Sequence, residues 1–179
     1  MAWGAQIRGI DNLSPEMDAA VHEGAQAGLE VLGAKGTEMV VKNISTPYNG
    51  RPAAVCFGNL AASVVSIYAH EATQMKAIIA VSPSLHADVY APSVETGARP
   101  HMPPPGDLLA WVQKKFGIDN EKDALSAAWA VATVIRKRGT QGHQMFSRAL
   151  TDLEPLAVPA LEHEIALALE RHGFSGAAQ

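Results

Sequence analysis

The chain has 179 residues, 47% hydrophobic and 18% charged, which is apolar enough to bury a core and too apolar for a disordered chain. Its net charge of −4 argues against a surface dedicated to gripping phosphate backbone. No apolar run reaches a membrane span, the N-terminus lacks the build of a signal peptide, and the single Cys56 excludes a disulfide framework or a cysteine metal cage. These features predict one soluble domain over residues 1–179, made in the cytosol. The low charge of an Ala-rich chain favours assembly over a free monomer.

Residues 1–13, with Ile7, Ile10 and Leu13, read as a short strand and turn. Ser14-Pro15-Glu16 is a helix start: a capping hydroxyl, a proline at the first helical position and an acid in the first turn. Apolar residues from Met17 to Ile44 then recur at helical spacing. Gly24, Gly28, Gly33 and Gly36 weaken that helix by about 1 kcal/mol each. The plainer reading breaks it near Gly33–Gly36; the alternative is close approach of another helix along a stripe of small residues. Residues 45–57, with Pro47, Gly50 and Pro52, form the longest candidate loop, expected to be flexible and functional or mobile.

Val64–Ala69 is strand-like and could pair with the central stretch, residues 75–97. There Met75–Val81 and Leu85–Ala91 read as a β-hairpin around Ser82-Pro83-Ser84, with Pro92 and Gly97 making a sharp corner. Residues 98–106 form a proline-stiffened connection. Amphipathic helices follow over about 107–117 (Leu108, Leu109, Val112 and Phe116 on one face) and about 121–137 (Leu125, Ala128, Trp129, Ala132 and Ile135). Arg136-Lys137-Arg138 and Gly139 suit the end of the second. A last helix is expected over about 159–172, with Leu161, Ile165, Leu169 and His172 aligned, followed by a loose tail, 174–179. The expected class is α+β: a small, mainly antiparallel sheet packed by a long N-terminal helix and several C-terminal helices.

Chemistry is sparsely signalled. Glu162-His163-Glu164 cannot share a metal on one helical face, and His70-Glu71 points to opposite faces of a strand. His86 and Asp88 would share a sheet face and are the best acid–base pair, although an exposed polar strand face predicts the same residues. Glu95 reads as a structural ion pair holding the corner, with Arg99 or with residues 136–138 as its partner. Cys56 reads as a small buried apolar residue. The residues nominate no catalytic, cofactor-binding or metal-binding site.

Three stretches, in order, resemble the neck or tail-completion proteins of long-tailed bacteriophages, which join head to tail. Gly58-Asn-Leu-Ala-Ala-Ser-Val64 is similar to the family's Gly-x-Leu-x-x-Ser-(Ile/Val) segment. Tyr90-Ala-Pro-Ser-Val-Glu-Thr-Gly97 is similar to Tyr-Ala-x-x-Val-Glu-aromatic-Gly, with Thr96 in place of the aromatic residue. Arg138-Gly-Thr-Gln-Gly-His-Gln-Met-Phe146 is similar to Arg-Gly-Thr…Phe-Phe, with Gln144-Met145 replacing Pro-Phe. The opening, Ile7 to Leu13 followed by an Ala-rich helix, also fits, so the likeness touches residues 7–150.

The resemblance implies a non-enzymatic virion protein without cofactors, assembled in the host cytoplasm and placed at the head–tail junction. Its subunits would form a ring, commonly hexameric, as a tail terminator or as a head-closure connector. The ring would contact head-completion and tail tube proteins, and double-stranded DNA would pass through its lumen unread. Residues 45–57 and 98–106 would be the contact elements. The reading from another class is a small hydrolase or metal-dependent enzyme using His86, Asp88 and Glu95.

Overall fold

The computed structural model describes residues 13–54, 58–71 and 74–174. The expected strand through Ile7 and Ile10, Cys56, and the tail from residue 175 onward lie outside the described residues. Helix α1 (Pro15–Ser45) is followed by a short α2 (Asn59–Ala62) and strands β1 (Val64–Glu71) and β2 (Gln74–Val81). Then come α3 (Ala87–Thr96), β3 (Gly97–Ala98), α4 (Leu109–Phe116), α5 (Glu121–Arg138), β4 (Thr140–Gln141) and α6 (Met145–Arg171). The fold is α+β, as expected: 67% helix, with a small antiparallel sheet and a long N-terminal helix. β1 pairs with β2, and a second pair joins β3 to β4 with Gly97 opposite Gln141 and Ala98 opposite Thr140. Contacts divide the chain into two compact units, one from residues 1–39, 65–80 and 149–179, the other from residues 40–64 and 81–148.

In the first unit α1 starts where the sequence places it. The Met17 amide donates to Ser14 Oγ at 3.2 Å, and backbone and Ser14 hydrogen bonds hold the Glu16 carboxyl below its usual pKa. The expected break at Gly33–Gly36 does not occur: α1 runs unbroken for 31 residues. The alternative describes half of the stripe. A Cβ on Gly24 would collide with the α6 backbone at Ile165 and stand 2.8 Å from the Glu164 carbonyl, and one on Gly28 would meet Leu161. The other half faces the sheet, with Gly33 against the Tyr68 ring and Gly36 against Ile79 and Leu153. Tyr68 also donates from its hydroxyl to the Glu30 carbonyl at 3.2 Å. Packing against bare backbone outweighs the helix propensity lost at each glycine.

The last helix is longer than the sequence suggests, beginning at Met145 rather than near residue 159. Pro155 and Pro159 hid its first half. They lie four residues apart on the exposed side, where water can replace the missing amides, while Ala149 and Ala157 are buried.

In the second unit the expected central hairpin is corrected. Its first strand stands as β2, but the partner is β1, and residues 84–96 are helical. The Ser82-Pro83-Ser84 turn leads into a 3-10 turn closed by His86 N donating to Pro83 O at 3.2 Å, and α3 follows. Ala87 and Ala91, one helical turn apart, are the buried residues of α3, whereas Val89 is 74% exposed. Helical burial of two alanines thus overrides the weak β signal of Val89 and Tyr90. Pro92 sits within this helix on its exposed side.

Helices α4 and α5 match expectation in extent and in part of each face, since Leu108, Leu109, Val112, Ala128 and Ala132 lie inward as expected. Val112, Ala124 and Ala128 form a fully buried cluster covered by Leu108, Leu109, Trp111, Ile118, Ala127 and Val131. The buried line of α5 is Ala124, Ala128 and Ala132, leaving Leu125 and Trp129 39% and 53% exposed. Phe116, expected on the inner face of α4, is likewise exposed and meets Trp111 edge to face at 5.7 Å. Small residues inside let helices approach closely, so size alone misplaced Leu125, Trp129 and Phe116 on the inner faces. Asn120 caps α5, its side-chain oxygen accepting from Lys122 N at 2.9 Å and Asp123 N at 3.3 Å.

Candidate functional site

The densest polar construction in the second unit is the corner where β3 meets β4. Two backbones cross here with no room for side chains. A Cβ on Gly97 would strike the Thr140 carbonyl, one on Gly139 the Ala98 carbonyl, and one on Gly142 the Glu95 carbonyl. Gly97 adds φ +83° with ψ 175°, a region essentially closed to other residues. The Thr140 hydroxyl oxygen accepts from the Ala98 amide at 2.9 Å, while Val94 O and Glu95 O accept from the amides of His143 and Gln144 at 2.7 and 3.0 Å.

Glu95 completes the corner, with partners that correct the expectation. Its carboxylate accepts from Phe146 N at 2.9 Å, Ser147 N at 3.0 Å and the Ser147 hydroxyl at 2.7 Å. It therefore caps the start of α6 instead of pairing with Arg99 or with residues 136–138. The first amides of a helix have no intrahelical acceptor and form its positive end, so a carboxylate satisfies donors and dipole together.

The expected loop 45–57 packs, over residues 46–54, against this corner. Tyr48 and Arg51 exchange two backbone hydrogen bonds of 3.0 Å around Asn49-Gly50, whose φ values of 50° and 72° fit a type I′ turn. Arg51 donates to the Gly142 carbonyl, and Tyr48 donates to Gln144 Oε1 at 2.7 Å. The Arg148 guanidinium lies 4.2 Å from the Tyr48 ring centre and that of Arg51 5.6 Å. Arg148 Nη1 is buried without an acceptor, and the ring face supplies the electron-rich surface in its place.

His143, only 5% exposed, packs edge-on to Tyr48 at 5.8 Å. Its Nε2 lies 3.0 Å from the carbonyl oxygens of both Asn43 and Thr46. Carbonyls only accept, so Nε2 carries the proton and donates. It thereby satisfies acceptors at the C-terminal end of α1, while Asn43 Nδ2 donates to Met145 O at 3.0 Å. One end of α1 and the beginning of α6 are thus locked by the same few residues.

The stretch 58–64 is tied in separately. Gly58 precedes α2 with φ 84°, Leu60 and Ser63 are buried, and the Ser63 hydroxyl lies 2.7 Å from Asn59 O and 3.1 Å from Ser84 O. Ser82 N donates to Ser63 O at 2.7 Å.

The acid–base pair considered from the sequence does not form. His86 is an exposed residue in the left-handed conformation before α3, and Asp88 is exposed in the first turn. His86, Asp88 and Glu95 share no hydrogen bond or ion pair, and among the described residues no group of three His, Cys, Asp or Glu side chains could hold a metal. The Tyr48–Arg51–Arg148 cluster and the role of His143 were not anticipated. Asn49-Gly50 was the available signal, since that dipeptide favours a tight hairpin over a mobile loop.

Comparison of the chain with protein-family models, with curated proteins and with solved structures finds no match.

Proposed function

We propose that this chain is a structural virion protein: a ring-forming subunit at the neck of a long-tailed bacteriophage, acting in tail completion and surrounding the DNA conduit. The observation that carries the reading is the meeting of two family-like stretches. Residues 90–97 and 138–146 lie more than 40 positions apart, yet they build one corner through β3–β4 pairing, three close-packed glycines and the Glu95 cap. The shared residues Val94, Glu95, Gly97, Gly139 and Thr140 are those the corner uses. A resemblance of scattered short motifs gains weight when its residues depend on one another physically.

The net charge of −4 suits a conduit, since a strongly basic lumen would retard passing phosphate backbone. Segments 45–57 and 98–106 would contact neighbouring rings, the first carrying the Tyr48–Arg51 turn that packs against the corner. A tail terminator and a head-closure subunit are both compatible with this construction. Mass spectrometry of separated heads and tails tests the reading: a few copies per particle at the head–tail junction are expected. Absence of the chain from purified particles would overturn it.

A further inference from the structure

The two guanidiniums that share the Tyr48 ring carry more donors than the protein satisfies. The Arg148 side chain lies 4.2 Å from the ring centre and donates no hydrogen bond to any described residue. Arg51 lies 5.6 Å from the same ring centre, and its side chain donates only to the Gly142 carbonyl. The two cations are thus within about 10 Å of each other. Neither forms an ion pair among the described residues, and Glu95, the carboxylate of the corner, accepts instead from Phe146 and Ser147. Like charges held together and partly removed from water are costly unless an anion offsets them.

The ring face attracts Arg148 but accepts from none of the N–H groups at the outer edge of the guanidinium plane. Of the nitrogens without an acceptor, only Arg51 Nε and Arg148 Nη1 are fully buried. Arg148 Nε and Nη2 and Arg51 Nη2 reach the surface, since both side chains are only half-buried. Nε and Nη2 form one edge of a guanidinium, a planar two-donor fork that matches the two oxygens of a carboxylate. Lys115 Nζ, donating to Ala53 O at 3.2 Å, brings a third cation to the same segment.

We infer that Arg51 and Arg148 form a carboxylate-binding site, filled by an Asp or Glu side chain of a protein that docks on segment 45–57. Arg148 supplies the Nε–Nη2 fork, Arg51 adds an N–H from Nη2, and Tyr48 holds both cations at its ring. A surface that binds phosphate backbone spreads many cations along a stripe, whereas this cluster is compact on a chain of net charge −4. The source of the carboxylate rests on the contact role proposed above for this segment; the site itself does not. With only these few contacts, a small carboxylate should bind with a Kd on the order of 1–10 mM.

NMR of the arginine Nε–Hε signals of the full chain tests it, with signals assigned through Arg51→Lys and Arg148→Lys. Glutarate at neutral pH is the carboxylate probe and inorganic phosphate the second arm, both at constant ionic strength. Glutarate should shift the Arg148 and Arg51 signals saturably and leave that of exposed Arg99 in place. Arg51→Gln should weaken the Arg148 response by roughly fivefold or more, because the two donors act on one anion. No saturable shift in the wild-type chain, or one that Arg99 shares, would overturn the site whether or not the variants fold. An Arg148 response unchanged in folded Arg51→Gln would reject the pairing of the two arginines. Phosphate binding tighter than glutarate by about tenfold would overturn the assignment to a carboxylate. A chain found at the head–tail junction that ignores glutarate would sink this inference alone, and a chain absent from particles that binds glutarate would sink only the phage reading.

Discussion

The two units use glycine to bring backbones together, but they surround the contact with different chemistry. Where α1 meets α6, Gly24 and Gly28 lie against Ile165 and Leu161, and neighbouring buried residues such as Ala20, Ala25 and Ala168 are small and apolar. Where β3 meets β4, Gly97, Gly139 and Gly142 lie against carbonyls, and the surroundings are a carboxylate, two guanidiniums, an imidazole and a phenol. The first contact is non-directional and tolerates small slips along the helix. The second is specified by directional donors and acceptors, with Arg51 Nε and Arg148 Nη1 left without an acceptor. A molecule that must present a surface in fixed geometry has more use for the second kind.

The comparison breaks most visibly at Gly97. Replacing it with alanine forces a Cβ into the Thr140 carbonyl from a backbone conformation that alanine disfavours, so Gly97→Ala should lose more than about 3 kcal/mol in urea unfolding. Gly106 has open space around its Cβ position and no positive φ, so Gly106→Ala should change stability by less than about 1 kcal/mol. Equal effects would mean that the corner yields more easily than its geometry indicates.

Gly24→Ala probes the other contact. The added methyl meets α6 backbone, but two helices with small apolar faces can shift, so a loss of about 2–3 kcal/mol is expected. Hydrogen exchange should show the loss at residues 161–168, with the amides of Phe146 and Ser147 still protected by Glu95. Loss of protection at both sites to the same degree would show that the two contacts fail together.

Glu95→Gln sharpens the role of the cap. The amide keeps one acceptor oxygen, whereas the carboxylate serves Phe146 and Ser147 with two, and the charge at the helix terminus is lost. A cost of about 1–2 kcal/mol is expected, with faster exchange at those two amides. An unchanged exchange rate there would show that the start of α6 holds without Glu95.

These contrasts also explain what the sequence disclosed. The helix start at Ser14 and the stop at Gly139 were legible because capping is local chemistry. The α+β class followed from periodicity. The faces of α5 and the extent of α6 were less legible, because alanine at the interface and proline on the outside invert the usual association of size with burial. The second half of the central stretch looked like strand, since Val89 and Tyr90 suit one and nothing local reveals that Ala87 and Ala91 would be buried. The corner was half visible: Glu95 and Gly97 stood out, but their partners lie some 40 to 50 residues on, and no local pattern links a carboxylate to a distant helix start. Arg51, Arg148 and Tyr48 carried no signal, because a cation on an aromatic ring leaves no spacing rule in the chain.

The smallest effect belongs to the exposed link between α1 and α6. Glu23 accepts a hydrogen bond from His172 Nε2 at 2.9 Å and pairs with Arg171 at 2.8 Å. The His172 hydrogen bond and then the Arg171 charge hold its carboxyl below its usual value, with burial opposing weakly. A carboxylate with a lowered folded-state pKa contributes stability that is present above its unfolded pKa and lost as pH falls through the folded one. Thermal melts of wild type and Glu23→Gln should therefore differ slightly at neutral pH and converge on acidification through the carboxylate range. The groups are solvated and screened, so added salt should shrink the neutral-pH difference as well. A difference that persists unchanged at acidic pH would assign the effect to packing of the longer amide and not to the ion pair.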